Sequence, residues 1–251
     1  MLEGKVGIVT GAGSGIGRET ALAMAREGAK IVVSDVVDEH GADTVAMIEA
    51  TGGSAAFVHA DVSKEADTAA MVRFAVDTFG TLDLAVNNAG IGGPAALTGD
   101  YPVDGWEKVI GINLSGVFLS LRAELGVMAA AGAGSIVNIS SILGFVGYPY
   151  SCAYVAAKHG VIGLTQNAAL EYAAQGVRVN SVHPGFIDTP LVTSSGIERG
   201  DDTWNAIAAK HAMGRWGTTH EVAEVVLWLL SDKASFVTGS QYVVDGGYLA
   251  Q

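Results

Sequence analysis

Short apolar runs rich in β-branched residues alternate with longer segments of helical periodicity along the chain. This alternation is typical of βαβ units and predicts a parallel sheet. Strands are predicted at 6–10, 31–35, 55–59, 82–88, 135–140, 177–182 and 241–245, and helices at 15–27, 38–51, 64–79, 104–131, 153–174 and 219–231. Most of these strands are continuous apolar runs, so helices should cover both faces. We therefore expect an α/β fold over residues 1–251, a single-domain Rossmann-type doubly wound parallel sheet of about seven strands.

Charge and cysteine content restrict the partners of this chain. The 251 residues carry a formal net charge of −12, so nucleic acid and anionic membrane surfaces would be repelled. The single cysteine, Cys152, cannot form an internal disulfide. The amino terminus leads straight into a predicted strand, and no apolar stretch approaches the roughly 18 to 20 residues that span a bilayer. We expect a cytoplasmic protein that binds neither nucleic acid nor membrane.

A glycine-rich turn, TGAGSGIG at 10–17, joins the first predicted strand to a helix that begins near Ile16. Gly11, Gly15 and Gly17 let the backbone turn tightly and approach a ligand, and the helix amino terminus attracts a pyrophosphate. Together with Ser14 and Ile16, these glycines are candidates for binding the phosphates of a dinucleotide. A tight turn without a ligand is the alternative, because a glycine-rich turn alone is a weak signal.

An acidic residue, Asp35, ends the second predicted strand, eighteen residues after Gly17. This separation is close to the one at which a carboxylate meets the adenosine ribose of a dinucleotide. A carboxylate there accepts hydrogen bonds from both ribose hydroxyls and repels a 2′-phosphate. Neither Ser14 nor Val36 supplies the positive charge that such a phosphate needs. The sequence therefore favours NAD over NADP, with a helix-capping or solvated Asp as the alternative.

Two further strand ends carry candidate cofactor residues. Asp61 and Val62 follow the third predicted strand, where the carboxylate would meet the adenine amino group. An Asp that caps the next helix explains the same position equally well. The fourth predicted strand ends in NNAG, whose Asn88, Ala89 and Gly90 would line the cofactor. A plain turn is the alternative here, since Asn and Gly are turn residues.

With TGAGSGIG, NNAG, Asn113, Ser141 and a Tyr-x-x-x-Lys pair in this order, the sequence resembles the short-chain dehydrogenase/reductase family over essentially its entire length. The resemblance implies a catalytic tetrad of Asn113, Ser141, Tyr154 and Lys158. It implies that Ser141 binds the substrate oxygen, that Tyr154 is the general acid and base, and that Lys158 also holds the nicotinamide ribose. Asn113 would interrupt its helix locally and hold a water that connects Lys158 to solvent.

The segment PGFIDT at 184–189 resembles the motif that contacts the nicotinamide in this family. Pro184 and Gly185 open it, and the resemblance implies that Ile187 offers its backbone to the carboxamide. Thr189 would offer a hydroxyl. These positions complete the set of cofactor-binding candidates.

Tyr154 and Lys158 are four residues apart, so on a helix they lie on the same face. A free tyrosine has a pKa near 10, which must fall by about 2 to 3 units for the phenol to act as a base near neutrality. An adjacent ammonium favours the ionised phenol, helped by a positively charged nicotinamide ring. We therefore predict that Lys158 lowers the pKa of Tyr154.

Candidate walls of the substrate pocket are mostly apolar or aromatic, with Leu143, Tyr148, Leu191 and Trp204 as the chosen residues. The longest break in the alternation runs from His183 to about Thr219, and a substrate lid is expected within it at about 188–215. An apolar pocket suits a small to medium hydrophobic secondary alcohol or its ketone, interconverted with NAD(H). No metal is expected, and no histidine is assigned to catalysis, because the six histidines show no metal spacing. They are His40, His59, His159, His183, His211 and His220.

Two other functions remain open at this point. A 3-oxoacyl-acyl-carrier-protein reductase would need a basic docking surface for its acidic partner and normally uses NADPH. The net charge of −12 and Asp35 argue against it. A non-catalytic dinucleotide sensor on the same fold is the second alternative, since fold alone does not fix function.

A low content of charged residues, 16%, suggests that part of the surface is buried between subunits. The family resemblance implies a homotetramer, with the predicted helices at 104–131 and 153–174 in one interface and the segment 241–251 in another. If these tails meet at a symmetry axis, the terminal carboxylates at Gln251 would share a cation.

Overall fold

The computed structural model describes residues 1–194 and 196–250, and within them seven strands form one sheet whose neighbouring strands are all parallel. The strands are β1 Val6–Thr10, β2 Lys30–Asp35, β3 Ser54–His59, β4 Leu84–Asn87, β5 Gly134–Ile139, β6 Val177–Pro184 and β7 Gln241–Val244. Their order is β3-β2-β1-β4-β5-β6-β7, which reverses direction between β1 and β4. The doubly wound parallel sheet is confirmed, and ligands of such sheets bind at this reversal. The expectation for Gln251 lies outside the described residues.

Nine helices surround the sheet within the described part of the chain. They are α1 Gly15–Arg26, α2 Asp38–Ala50, α3 Glu65–Phe79, α4 Val103–Ile110, α5 Gly116–Ala131, α6 Cys152–Tyr172, α7 Pro190–Thr193, α8 Asp202–Ala208 and α9 Thr219–Leu230. The helix predicted at 104–131 is divided, because a π-helical segment, Gly111–Ser115, separates α4 from α5. No helix was predicted in the segment 188–215, the expected lid. The structure shows two short helices there, α7 and α8.

Alternation of side chains along the buried strands creates two core layers. Val9 packs with α1 and α9 on one face of the sheet, whereas its neighbour Ile8 packs with α3, α5 and α6 on the other. Both residues are fully buried, as expected when successive side chains of a central strand point to opposite, helix-covered faces.

The carboxyl ends of β1, β4, β5 and β6 lie side by side at one edge of the sheet. Register pairs such as Val9 with Val86, and Ile139 with Val182, align these strands. The glycine loop, the NNAG turn, Ser141 and the 184–189 segment all begin at these strand ends. Segments that are far apart in the sequence are therefore neighbours in space.

The helical run Val103–Ala131 is long and apolar enough to cross a membrane by length and composition alone, with 29 residues and a mean hydropathy of 1.4 in its most apolar 18-residue window. The expectation that no stretch approaches this length was wrong. In the fold, Val117, Leu121 and Leu125 of this run pack into the core layer beneath the sheet. Packing against the sheet accounts for the apolar composition of the run.

Candidate active site

A cleft of about 270 Å³ opens at the carboxyl edge of the sheet, where β5 and β6 end. It is lined by most of the residues that the sequence placed at a reaction centre. These are the catalytic candidates Ser141, Tyr154 and Lys158, the cofactor candidates Ile16, Asn88, Gly90, Pro184, Gly185, Ile187 and Thr189, and the pocket candidates Leu143, Tyr148 and Leu191. Parallel strand register brings them together, since they lie at or after the ends of four neighbouring strands, β1, β4, β5 and β6.

Tyr154 and Lys158 lie on one face of α6, as their spacing predicts. The Lys158 Nζ is 5.5 Å from the centroid of the Tyr154 ring. It donates a hydrogen bond to the Ile139 carbonyl oxygen at 2.8 Å, and only 4% of the residue is exposed. This contact fixes the ammonium at the end of β5 and leaves two of its three N–H groups for other acceptors.

Burial shifts the pKa values of both groups in the chain without cofactor. Burial raises the pKa of the Tyr154 phenol above its ordinary value, and a hydrogen bond with the Ser141 side chain opposes that rise. Burial also lowers the pKa of Lys158 to about 8. A net fall of the phenol's pKa is therefore not seen in the chain alone, and the lowering by Lys158 together with a bound nicotinamide stays a prediction. The physical reason is that the loss of solvation outweighs an ammonium that is directed to the Ile139 carbonyl.

Ser141 is held in place by a buried histidine that sequence reasoning left without a function. His183 Nδ1 lies 3.1 Å from the Ser141 carbonyl oxygen, and its Nε2 lies 2.8 Å from Ser181 Oγ. A carbonyl oxygen only accepts, so Nδ1 carries the proton and Nε2 accepts from Ser181. Burial lowers the pKa of His183 to about 4, so the ring is neutral at physiological pH. The Ser141 hydroxyl itself accepts a hydrogen bond from Leu143 N at 3.1 Å.

Asn113 lies in the π-helical segment between α4 and α5. The family resemblance implied that the helix would be interrupted at this residue, and the structure shows that interruption. It is fully buried and does not line the cleft. Its side chain accepts from Ile91 N at 2.9 Å and donates to Ile91 O at 2.8 Å. These two bonds fix the loop between Gly90 and Gly92, both of which line the cleft.

The glycine loop has the shape that a pyrophosphate requires. A Cβ on Gly17 would lie 2.3 Å from the Gly11 carbonyl oxygen and 2.4 Å from Asn88 Nδ2, so only glycine fits there. Asn88 Nδ2 donates to the Thr10 and Gly11 carbonyl oxygens, which ties the loop to the NNAG turn. The α1 amino terminus has no side-chain cap from Ser14 and no acidic residue in its first turn. Free N–H groups and the absence of a local anion fit a phosphate ligand.

Asp35 stands at the end of β2 beside this loop. Its Oδ2 accepts from Gly13 N at 2.8 Å, and its Oδ1 accepts from Val37 N at 3.0 Å. Each carboxylate oxygen keeps lone-pair capacity for a further donor. The carboxylate therefore braces the glycine loop, and its contact with a ribose stays a prediction.

Asp61 and Val62 make local contacts. The Asp61 carboxylate accepts from the backbone and hydroxyl of Ser63, and these bonds lower its pKa. The side chain of Val62 is buried and packs against Gly116 of α5. Asp61 does not cap α3, whose N-cap position is Lys64, and an adenine contact stays a prediction. Ala89 N donates to Thr10 Oγ1 at 3.1 Å, which anchors the NNAG turn to β1.

Trp204 lies outside the cleft, so its assignment as a pocket residue was wrong. Its indole stacks on Trp216 with ring centroids 3.9 Å apart, and its carbonyl oxygen accepts from Trp216 Nε1. This aromatic pair anchors α8 to the segment before α9. The cleft is lined instead by Phe186, Val192 and Ile197, which the sequence interpretation did not choose as pocket residues.

A buried polar chain runs behind the cleft and joins β4, β5 and α6. Asn87 Nδ2 donates to Glu124 Oε2 and to Asn138 Oδ1, both at 3.0 Å, and Asn138 Nδ2 donates to Thr165 Oγ1. Glu124 is fully buried in α5. Its Oε1 and the Asn87 Oδ1 have no hydrogen-bond partner. Two unpaired acceptors in one buried site indicate that a proton or a water belongs there.

Metal ligation was not expected from the histidine pattern. Within residues 1–194 and 196–250, no group of three or more His, Cys, Asp or Glu side chains is arranged to hold a metal ion. The chemistry of the cleft therefore has to be argued from its hydroxyl, phenol and ammonium groups.

Comparison with known proteins places this chain in a family. A family model described as "Enoyl-(Acyl carrier protein) reductase" matches residues 11–249. The chain is 51% identical to a cyclohexanol dehydrogenase of Acinetobacter sp. (strain SE19), with 98% of this chain and 96% of that protein covered. It is 47% identical to a cis-4-hydroxycyclohexanecarboxylate dehydrogenase of Sinomonas cyclohexanicum, with coverage of 98% and 97%.

A solved structure supports the same assignment. The crystal structure of levodione reductase superimposes with a TM-score of 0.97 at 39% identity, covering 100% of this chain and 99% of that one. The chain belongs to the short-chain dehydrogenase/reductase family. It is an oxidoreductase of the alcohol dehydrogenase type, whose substrate is a small molecule and whose cofactor is a nicotinamide dinucleotide.

Proposed function

We propose that this protein interconverts a small to medium, uncharged, cyclic secondary alcohol and its ketone with NAD(H). The carrying observation is the convergence of Ser141, Tyr154 and Lys158 on one cleft whose remaining walls are largely apolar. Among the described residues that line this cleft, Lys158 is the only charged side chain. A cleft without a second charge suits a neutral ring such as cyclohexanol better than a ring that carries a carboxylate.

Each polar side chain of the cleft has a separate role in the proposed reaction. When bound, the dinucleotide supplies the hydride acceptor or donor and, in its oxidised form, a positive charge. Tyr154 takes the hydroxyl proton of the alcohol during oxidation and returns it to the ketone oxygen during reduction. Ser141 hydrogen-bonds the same substrate oxygen, and His183 fixes the Ser141 backbone.

Lys158 remains largely protonated near neutrality, because its pKa is about 8. Its two free N–H groups are suited to the hydroxyls of a nicotinamide ribose. Since the chain alone raises the pKa of Tyr154, the phenolate form needs the positive charges of both Lys158 and the cofactor. Asn113 does not line the cleft and positions it indirectly, because its side chain holds the backbone of Ile91 through two hydrogen bonds.

Asp35 is the basis for proposing NAD rather than NADP. Its carboxylate lies beside Gly13 at the end of β2, where a 2′-phosphate would meet a like charge. Val36, the next residue, is an exposed apolar side chain and offers no compensating cation.

A kinetic panel tests both parts of the proposal. Cyclohexanone, cyclohexanol and cis-4-hydroxycyclohexanecarboxylate are each assayed with NAD(H) and NADP(H). We expect kcat/KM to be at least about tenfold higher with NAD(H), and to favour the uncharged ring over the carboxylate. Asp35→Ala should reduce the cofactor preference. Equal or better rates with the phosphorylated cofactor would contradict the role of Asp35, and a preference for the carboxylate would contradict the uncharged substrate.

Reduction of a 3-oxoacyl group on an acyl carrier protein is the competing activity, and the matching family model is described as a reductase of another carrier-bound group, the enoyl group. The formal net charge of −12 opposes docking of an acidic carrier, and both compared curated relatives are named as alcohol dehydrogenases. Turnover of a 3-oxoacyl group on its carrier at higher kcat/KM than cyclohexanone would favour the competitor. Binding of NADH without turnover of any tested ketone would favour the non-catalytic sensor.

We also propose that the protein is a homotetramer, as the family resemblance implies. Large apolar side chains stand exposed on the described surface, including Leu170 on α6, Phe118 on α5 and Phe236 before β7. Leu170 is 85% exposed and Phe236 fully so, which is costly unless another subunit covers them. Light scattering is expected to give four times the 25.6 kDa chain mass, and a monomeric mass would contradict this proposal.

A further inference from the structure

Two neighbouring cavities share one wall. The active-site cleft holds about 270 Å³, and a second cavity of about 490 Å³ lies beside it. The second cavity is bounded by the end of the lid, including His211 and Met213, and by the segment that follows β7. Gly185, Phe186 and Ile187 line both spaces, so these three consecutive residues form the partition.

Within this partition, Phe186 supplies the side chain that separates the two spaces. Gly185 has no side chain, and Ile187 is buried with its Cδ1 against Gly217. The Phe186 ring packs against Tyr148, a wall of the cleft, with centroids 5.8 Å apart. Its centroid also lies 6.0 Å from that of His211, a wall of the second cavity, and the ring packs against Trp216 and Tyr248, which line neither space. The aromatic ring therefore contacts a wall of each of the two volumes.

The sizes of the spaces indicate what the partition does. Pockets for small ligands usually measure about 300 to 1,000 Å³, so the cleft alone, at about 270 Å³, is just below that range. It must also admit the reactive end of the cofactor, which leaves room for a compact substrate. Joined to the second cavity, it would fall well inside the range and would admit fused rings.

We propose that Phe186 is the specificity-determining residue that sets the upper size of the substrate, by closing the active-site cleft against the second cavity. This inference rests on the proposed function for its assay substrates. The ring excludes fused-ring ketones because their second ring would occupy the space that the phenyl group fills. Removing the ring connects the two cavities and relieves that clash.

The experiment compares cyclohexanone with the fused-ring ketone 2-decalone in wild type, Phe186→Ala and Phe186→Leu. We expect the ratio of kcat/KM for 2-decalone over cyclohexanone to rise about tenfold or more in Phe186→Ala, and by less in Phe186→Leu. Met213→Ala is the matched control, because Met213 lines the second cavity but not the cleft. It enlarges that cavity without opening the partition, so the ratio should stay at the wild-type value.

Calorimetric titration of 2-decalone into the same proteins, with cofactor present, gives a second readout that needs no turnover. Tighter binding of 2-decalone by the Phe186 variants than by wild type supports the partition. An unchanged ratio and unchanged binding in folded Phe186→Ala, or in Phe186→Leu if the alanine variant does not fold, overturns it. An equal gain in Met213→Ala also overturns it. If neither ketone is turned over by any protein, the proposed function fails, and the titration alone decides the role of Phe186.

Discussion

Replacing Tyr154 with Phe is expected to lower kcat for cyclohexanol oxidation by about 10³-fold, within the range that a positioned acid or base contributes. Phe keeps the aromatic ring and its contact with Lys158, whose Nζ lies 5.5 Å from the ring centroid. Only the hydroxyl that exchanges the proton is lost. Binding of NADH, followed by fluorescence titration, should change little because the ring and the ammonium stay in place.

A phenol on the same helix gives the control for this variant. Tyr172 lies at the far end of α6 and packs against the core, away from the cleft. Tyr172→Phe should therefore retain wild-type kcat, and thermal melting should show that both variants fold. If Tyr154→Phe keeps more than about a tenth of the wild-type kcat, the assignment of Tyr154 as general acid and base is wrong.

Replacing Glu124 with Gln is expected to remove a pH dependence of the unfolding free energy worth roughly 2 to 3 kcal/mol between about pH 5 and pH 8.5. Burial raises the pKa of Glu124 from 4.5 to about 7, because the side chain lies wholly inside the core. The folded state then binds the proton more tightly than the unfolded state. Stability from this group is fully present below about pH 4.5 and is lost as the pH rises through about 7.

Urea unfolding across this pH range measures the effect as the difference between wild type and Glu124→Gln, so that other titrating groups cancel. Gln keeps the acceptor for Asn87 Nδ2 and adds a donor near the unpaired Asn87 Oδ1. Glu107→Gln, which alters an exposed glutamate on α4, should leave the pH dependence as in wild type. Parallel pH profiles for wild type and Glu124→Gln would show that Glu124 does not titrate in this range.

Elements with strong local periodicity could be predicted closely. β1 spans the predicted residues, and α1, α2, α3 and α9 differ from their predicted bounds by one residue at an end. Continuous apolar strands and amphipathic helices can be recognised from the pattern of neighbouring residues, so no distant contact is needed to predict them. The secondary structure of the segment 188–215 was harder to predict, because α7 and α8 are short helices whose first residues depend on capping contacts. Asp201, for example, caps α8 by accepting from Trp204 N.

The convergence of Ser141, Tyr154 and Lys158 on one cleft was predictable, since Ser141 directly follows β5 and the other two lie on one face at the start of the next helix, α6. The pKa direction of Tyr154 was not, because it depends on how completely the phenol loses water and on the acceptor that Lys158 finds at Ile139. Phe186 was predictable in principle, since it lies between two chosen residues of PGFIDT.

The amino-acid sequence alone therefore determined the sheet and the glycine loop, because short-range pattern and strand polarity dictate both, and the candidate catalytic groups followed from the family resemblance of its motifs. Packing in three dimensions was needed to stack Trp204 on Trp216 and to bury Glu124. It also set the Phe186 ring against a wall of each of two cavities. Burial and contact partners arise from segments that are distant in the chain, so no local pattern contains them.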